Sequence, residues 1–262
     1  MRQFSAEYLR STREGMWADS RAALERLALD SREAVLDVGC GTGELTAVLR
    51  AETPGVVVGL DADRGLLGHA DPPVVQGDAL SLPVPDDAVD LVVCQALLIN
   101  LPDPEAAVGE FARASSDLVA AIEPDNAAVR VESTAETETA LAARARELYL
   151  DGVDTDVALG AAAADVFEDA GLTDVSTERY DHERVVEPPY STADLEAARR
   201  KASGEGLADD RETMRAGGAT PAALDDLRAD WRAMGREVIE QMQAGEYRRR
   251  EVVPFYVTVG RV

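Results

Sequence analysis

The sequence predicts a doubly wound α/β fold, and three observations carry that expectation. Short runs of consecutive apolar residues recur without polar alternation, as in parallel strands buried on both faces. Stretches with apolar residues three or four positions apart lie between these runs, the spacing of helices that cover a sheet. The first run is joined to a helix-like stretch by a turn holding Gly39, Gly41 and Gly43, and close strand-to-helix turns favour side-chain-free residues.

The elements follow in order. Residues 5–29 place Ala6, Leu9, Met16, Trp17, Leu24, Leu27 and Leu29 among charges, which predicts two helices broken near Gly15 or Asp19. Ala34–Val38 reads as a buried strand, and Glu44 begins a helix. Val56–Leu60 is a second strand ending at Asp61. Pro73–Gln76 is a third, ending at Gly77-Asp78-Ala79. Val89–Cys94 and Leu118–Ile122 are the fourth and fifth. Helices are expected near 135–151 and 160–170, then a sixth strand from Thr173 to Glu183. Residues 191–247 read as charged helix, and Val252–Val262 as a final strand whose Pro254 suits a start or an edge. No internal repeat is visible.

The chain of 262 residues suffices for one large α/β domain or a domain with a small cap. Its net charge is −24, with 50 acidic against 26 basic residues and Lys201 as the only lysine. The acid is spread along the whole chain, a pattern that resembles proteins of extremely halophilic archaea. Such charge describes the solvent more than the substrate, and only mildly disfavours a nucleic-acid partner. The two cysteines, Cys40 and Cys94, sit in interior-type segments without Cys-x-x-Cys spacing. That argues against a disulfide framework and a cysteine-based zinc site. No apolar run approaches the ~18 residues of a membrane span, and the first residues are polar. A cytoplasmic protein with no membrane partner is expected.

A glycine turn alone is a weak signal, because a tight strand-to-helix connection needs nothing else. Its context is stronger. Asp37 precedes the alternating glycines, Asp61 ends the second strand, and Asp78 follows the third. Three acids at successive strand ends fall on one sheet edge, where open α/β sheets bind ligands. A carboxylate at Asp61 can accept from ribose hydroxyls, and Asp78 can accept an adenine amino proton. The alternating glycines and Gly77-Asp78-Ala79 count against a nicotinamide dehydrogenase.

Asp37-x-Gly39-x-Gly41-x-Gly43, Asp61, Gly77-Asp78-Ala79, Asp86-Asp87-Ala88-Val89-Asp90-Leu91-Val92 and Leu101-Pro102-Asp103-Pro104 resemble the successive motifs of class I methyltransferases dependent on S-adenosylmethionine (SAM). The resemblance covers roughly residues 30–125. It implies a seven-stranded, mostly parallel sheet with the last strand antiparallel. It implies a single domain, 1–262, with N-terminal helices 1–29 over the site and a helical cap, 184–250, before the last strand. SAM is the implied cofactor. Asp37 would meet its amino-acid end or organise the loop, while Gly39, Cys40, Gly41 and Gly43 flank it. Asp61 and Ala62 would hold the ribose, Asp78 and Ala79 the adenine, and Cys94 or Gln95 the methionine part. Arg13 would pair with the SAM carboxylate, and Tyr8, Met16 and Trp17 would line the same pocket or belong to the core.

Methyl transfer is a displacement in which alignment supplies much of the rate and a base is optional. Candidate bases are His182 and Tyr180, which share one face of the sixth strand by two-residue alternation, with Glu123 and Asp125 after the fifth. The alternative for each is a solvated or capping polar residue. His69 reads as a surface group. Asp125-Asn126 matches the pair of metal-dependent catechol-type enzymes, but no partner acid follows the fourth strand, so no metal is expected. Glu187-Pro188-Pro189-Tyr190 resembles an amino-methylating motif in the wrong place, and Ile99-Asn100 stands where quinone-type enzymes often carry histidine. The expected function is methyl transfer to a small molecule under a helical lid. A macromolecular acceptor, RNA or protein, and a non-catalytic SAM-binding protein stay open, as does a homodimer.

Overall fold

The computed structural model describes Ala6, Leu9 and residues 16–262; Tyr8 and Arg13 lie outside the described residues. The chain divides into two compact units. The first comprises Met1–Asp125, Ala158–His182 and Pro254–Val262; the second comprises Asn126–Val157 and Glu183–Val253. The expected insertion, 184–250, falls in the second unit, which also takes in residues 126–157.

In order, the strands are β1 (Ala34–Val38), β2 (Val56–Asp61), β3 (Val74–Gln76), β4 (Val89–Gln95), β5 (Ser115–Pro124), β6 (Arg130–Ser133), β7 (Thr173–Val186) and β8 (Arg249–Arg261). In the first unit, β1 to β5 are parallel in the order β3-β2-β1-β4-β5. β8 runs antiparallel to β5, from Leu118↔Arg261 to Pro124↔Phe255. β7 pairs with β8. The Thr173 hydroxyl donates to the Arg261 carbonyl and Thr177 bonds Thr258, contacts that run in opposite chain directions. β7 is therefore parallel to β5, and all strands of the sheet but β8 end on one edge.

Alternation along the strands separates two cores. Leu36 and Val38, with Val92, Cys94, Val119 and Ala121, face one way and pack under Phe111 and Phe167. Val35, Leu91, Val93, Leu118, Ala120 and Ile122 face the other way, with Trp17, Leu24, Leu27, Leu45 and Leu49. The helix Pro104–Ala114 starts where Asp103 accepts from the Ala106 N–H, with Pro104 in the first turn. Two helices were expected over residues 5–29. The second is instead a 3-10 helix, Arg21–Leu27, ended by Ala28 at φ 49°. The tighter winding still buries Ala23, Leu24 and Leu27.

The second unit holds β6, which pairs antiparallel with the first residues of β8, Arg130↔Val252 to Ser133↔Arg249. No strand was expected there. The run is short and half polar, so its periodicity is too brief to read. The helices are Glu138–Leu150, Thr192–Ser203, Glu205–Asp209, Arg211–Ala216 and Pro221–Ala244. The longest is capped by Thr220 and buries Leu224, Leu227, Met234, Val238 and Met242 at helical spacing. It crosses Thr192–Ser203 closely at Gly235, where a Cβ would stand 2.3 Å from the Ala202 nitrogen. Among the described residues no helix is long and apolar enough to cross a membrane.

Candidate functional site

The register sets Val38, Leu60 and Cys94 level across β1, β2 and β4. One residue further, Asp61 is level with Gln76, and Gln95 with Ile122. The chain leaves these strands together, so the residues after each share one edge.

The glycine loop is wound tightly at that edge. The N–H groups of Gly39 and Cys40 both donate to the Leu60 carbonyl, at 2.7 and 2.9 Å. Gly39, Gly41 and Gly43 have φ of 72°, 57° and 89°, a region L side chains rarely adopt. Gly43 then serves as the N-cap of the helix Glu44–Glu52. A Cβ on Gly39 would also meet the Leu97 side chain at 2.9 Å. Gly39→Ala is therefore expected to cost about 1–3 kcal/mol of stability. Urea unfolding checks this, and an unchanged midpoint would show that the loop tolerates a side chain there.

The three acids take distinct places. Asp37 is buried in β1, and the Thr46 hydroxyl donates to it at 2.5 Å. Asp61 accepts from the Gly41 N–H through one oxygen and from the Asp63 N–H through the other, both at 2.8 Å. Each carboxylate oxygen keeps a second lone pair for a ligand hydroxyl. Ala62 is exposed beside it. Asp78 is exposed and accepts from the Leu80 N–H at 3.0 Å, which turns the chain so that Ala79 is buried beneath. Cys40 points away from the edge, because its sulfur packs on Gly59. Burial, followed by Asp37 and Asp61, pushes its thiol well up.

At the end of β4, Gln95 donates to the Met16 sulfur at 3.1 Å. Cys94 is fully buried, and burial together with Glu123 raises its thiol. Glu123 is fully buried in β5. One of its oxygens accepts from the N–H groups of Leu97 and Leu98, at 3.0 and 2.9 Å, and the other from Ile99 at 3.4 Å. It caps the 3-10 turn Leu98–Asn100. Burial pushes its carboxyl up to about 7, against those three hydrogen bonds.

The other candidate bases are dispersed. The Tyr180 ring stacks on Phe255, centroids 5.7 Å apart, and its hydroxyl lies 3.5 Å from the Ala22 carbonyl. Trp17 meets Phe255 edge-on, and with Met16 it belongs to the core. His182 is buried near the end of β7. Asp125 is half-buried, and its N–H donates to the Pro254 carbonyl at 3.0 Å. His69 is exposed. Among the described residues no group of three or more His, Cys, Asp or Glu is placed to hold a metal ion.

Sequence reasoning missed Thr46, which holds Asp37, and Leu97, which packs on Gly39. A hydroxyl in the first turn after a glycine loop is a readable signal for Thr46. Nothing in sequence marks an apolar residue such as Leu97 as a loop support.

A family model described as "Methyltransferase domain" matches residues 36–117, from β1 into β5. A demethylmenaquinone methyltransferase of Lactiplantibacillus plantarum is 36% identical over 106 residues, 36% of this chain and 45% of that protein. A trans-aconitate 2-methyltransferase of Escherichia coli is 34% identical over 93 residues, 32% of this chain and 36% of that protein. The chain thus spans less than half the length of these relatives. A structure from Bacillus halodurans, of a protein assigned as a methyltransferase, shares the fold with a TM-score of 0.54 and 16% identity, over 93% of this chain and 98% of that one.

Proposed function

We propose that this chain is a SAM-dependent methyltransferase acting on a small molecule. The observation that carries the reading is the alignment of Asp37, Asp61 and Asp78 with the Gly39–Gly43 loop along the edge where the parallel strands end. The match of residues 36–117 to a methyltransferase domain supports it.

The residues present fit the cofactor. The positive-φ glycines leave backbone rather than side chains at the loop surface, and Asp61 keeps acceptor capacity for a ribose. Bound SAM would supply a methyl group activated on a sulfonium. The chain's own part is to bind, orient and exclude water. Asp61 holds the sugar, Asp78 and Ala79 bracket the base, and Gln95 marks the methionine end. Such positioning accounts for several kcal/mol of a displacement barrier without proton transfer. Of the four candidate bases, Tyr180 is half-buried and stacked on Phe255 and Glu123 caps a turn, so His182 and Asp125 are the better candidates for that role.

The acceptor reading rests on relatives named for demethylmenaquinone and trans-aconitate, both small molecules. Those two names differ although both relatives match only about a third of this chain. That difference supports a reading in which acceptor choice lies outside the matched segment, in residues 1–29 and 184–250.

Calorimetry with SAM in molar salt, where a net charge of −24 is screened, should give saturable one-to-one binding. Absence of binding at millimolar cofactor would sink the reading. Tritium transfer from labelled SAM should then reach small metabolites of a cell extract and not deproteinised RNA. Label in RNA would move the assignment to a macromolecular acceptor. Binding without transfer to any fraction would favour a SAM-binding protein without catalysis.

A further inference from the structure

The feature that methyl transfer leaves unexplained is Glu123. It is a fully buried carboxylate, and no basic side chain approaches it among the described residues. Its partners are the N–H groups of Leu97, Leu98 and Ile99, and the Cys94 thiol at 3.7 Å. Among the described residues the elements packed directly around it add no cation; Arg179, on β7, reaches Tyr256 on β8 rather than Glu123. Helix Pro104–Ala114 buries Ala107, Val108, Phe111 and Ala114, all apolar. The turns Leu98–Asn100 and Gly160–Ala162 carry no ionisable side chain. β4 offers Cys94, β8 offers its register partner Tyr256, and β1 offers Asp37, an acid.

An acid buried among neutral and acidic groups is costly when charged, unless something cationic comes near. The turn that Glu123 caps also supports the glycine loop, since Leu97 packs directly on Gly39. The charge therefore lies one packing layer from the proposed cofactor site. SAM carries a sulfonium cation at its reacting centre, and its demethylated product, S-adenosylhomocysteine (SAH), carries a neutral sulfide there. The remaining charges of the two molecules are the same.

We propose that Glu123 is a positioning residue that matches charge to the sulfonium: its carboxyl group releases its proton to solvent when SAM binds, and keeps it when SAH binds. The inference rests on the SAM reading above. Its consequence is discrimination between the charged reactant and its neutral product. Unit charges about 8–10 Å apart interact by an amount worth roughly 20- to 30-fold in affinity at an effective dielectric near 20. Without cofactor the group is poised near neutrality, because burial raises it to about 7 against the three N–H bonds. Affinity for SAM should accordingly rise as pH passes upward through that region and level off above it, while affinity for SAH stays flat.

The test is calorimetry with SAM and with SAH from about pH 5.5 to about pH 8.5, in two buffers of different ionisation enthalpy. The α-amino group common to both ligands cancels in their ratio. In the wild type, the Kd ratio of SAH to SAM should grow by roughly tenfold or more over this range. SAM binding near pH 6.5 should release a fraction of a proton that SAH binding does not. Glu123→Gln keeps a neutral amide in place and should give a ratio independent of pH, near the wild type's acid value. A wild-type ratio constant with pH overturns the inference whether or not the variant folds, as does pH dependence that survives in Glu123→Gln. If neither ligand binds at any pH, the SAM reading itself has failed, and this inference with it.

Discussion

Replacing Glu138 by alanine should destabilise the protein by about 3–5 kcal/mol, the usual cost of removing one member of a buried ion pair. Glu138 opens the helix Glu138–Leu150 and is only 1% exposed. Its carboxylate accepts from the hydroxyls of Ser133 at 2.6 Å and Tyr247 at 2.8 Å, and from the Lys201 ammonium. Arg249 adds a charge contact at 3.2 Å and is itself bonded to Glu251 at 2.5 Å. Alanine would leave the half-buried Lys201 and the buried Tyr247 without this acceptor. Glu138→Gln keeps the shape and the hydroxyl bonds but not the charge, so it should lose less. Urea unfolding of the three proteins measures the order. Equal midpoints for wild type and alanine variant would show that the network contributes no net stability.

The same cluster sets an acid-side dependence. Burial alone would push the Glu138 carboxyl up, but the Lys201 ammonium and the hydroxyl donors more than offset it and hold it below the usual carboxylate range. A carboxylate lowered in the folded state contributes stability that is present above its unfolded value. That stability fades as pH falls through the folded one. Glu123 has the opposite sign. Its raised carboxyl makes folding less favourable as pH climbs from the ordinary carboxylate range toward about 7, and no further above that. Stability measured against pH should therefore rise out of the acid range with Glu138. The Glu138→Ala variant should show a smaller rise, since Asp117 and Glu251 are also held low, and keep the decline.

How much of this could be read from the residues differs between the two units. In the first, Val35, Leu36 and Val38 alternate between two cores, so the apolar run of β1 reads directly as a strand buried on both faces. Asp61 and Asp78 are legible because strand ends and glycine turns have local signatures. The capping role of Glu123 is not, since its partners, Leu97 to Ile99, come from another strand's exit and offer only backbone. In the second unit, Lys201 stands out in composition as the only lysine. Its partners Glu138 and Tyr247 are distant in sequence, and one acid among 50 carries no mark of burial. The 3-10 winding of Arg21–Leu27 was also hidden, because both windings can bury a residue such as Leu24 and Leu27 three apart.

Asp61→Ala should weaken SAM binding by about 2–3 kcal/mol, roughly 30- to 150-fold in Kd. Two losses combine. The first is the proposed acceptor for the ribose, a charge-assisted bond. The second is internal, because Asp61 takes the N–H of Gly41 and the N–H of Asp63, both at 2.8 Å. The carboxylate therefore ties the glycine loop to the end of β2 before any ligand arrives. Asp61→Asn separates the two contributions. Its single carbonyl oxygen can serve one of those N–H groups, and its NH2 turns a donor toward the other or toward the ribose. If pre-organisation of the loop dominates, asparagine should recover about half of the lost binding free energy. If direct ribose contact dominates, asparagine should be nearly as weak as alanine. Asp78→Ala is the control on the same edge. Asp78 is exposed and fixes only its own turn through Leu80, so its loss should cost about 1 kcal/mol. Calorimetry of the three variants with SAM decides the order, and an Asp61→Ala variant that binds like the wild type would remove Asp61 from the site.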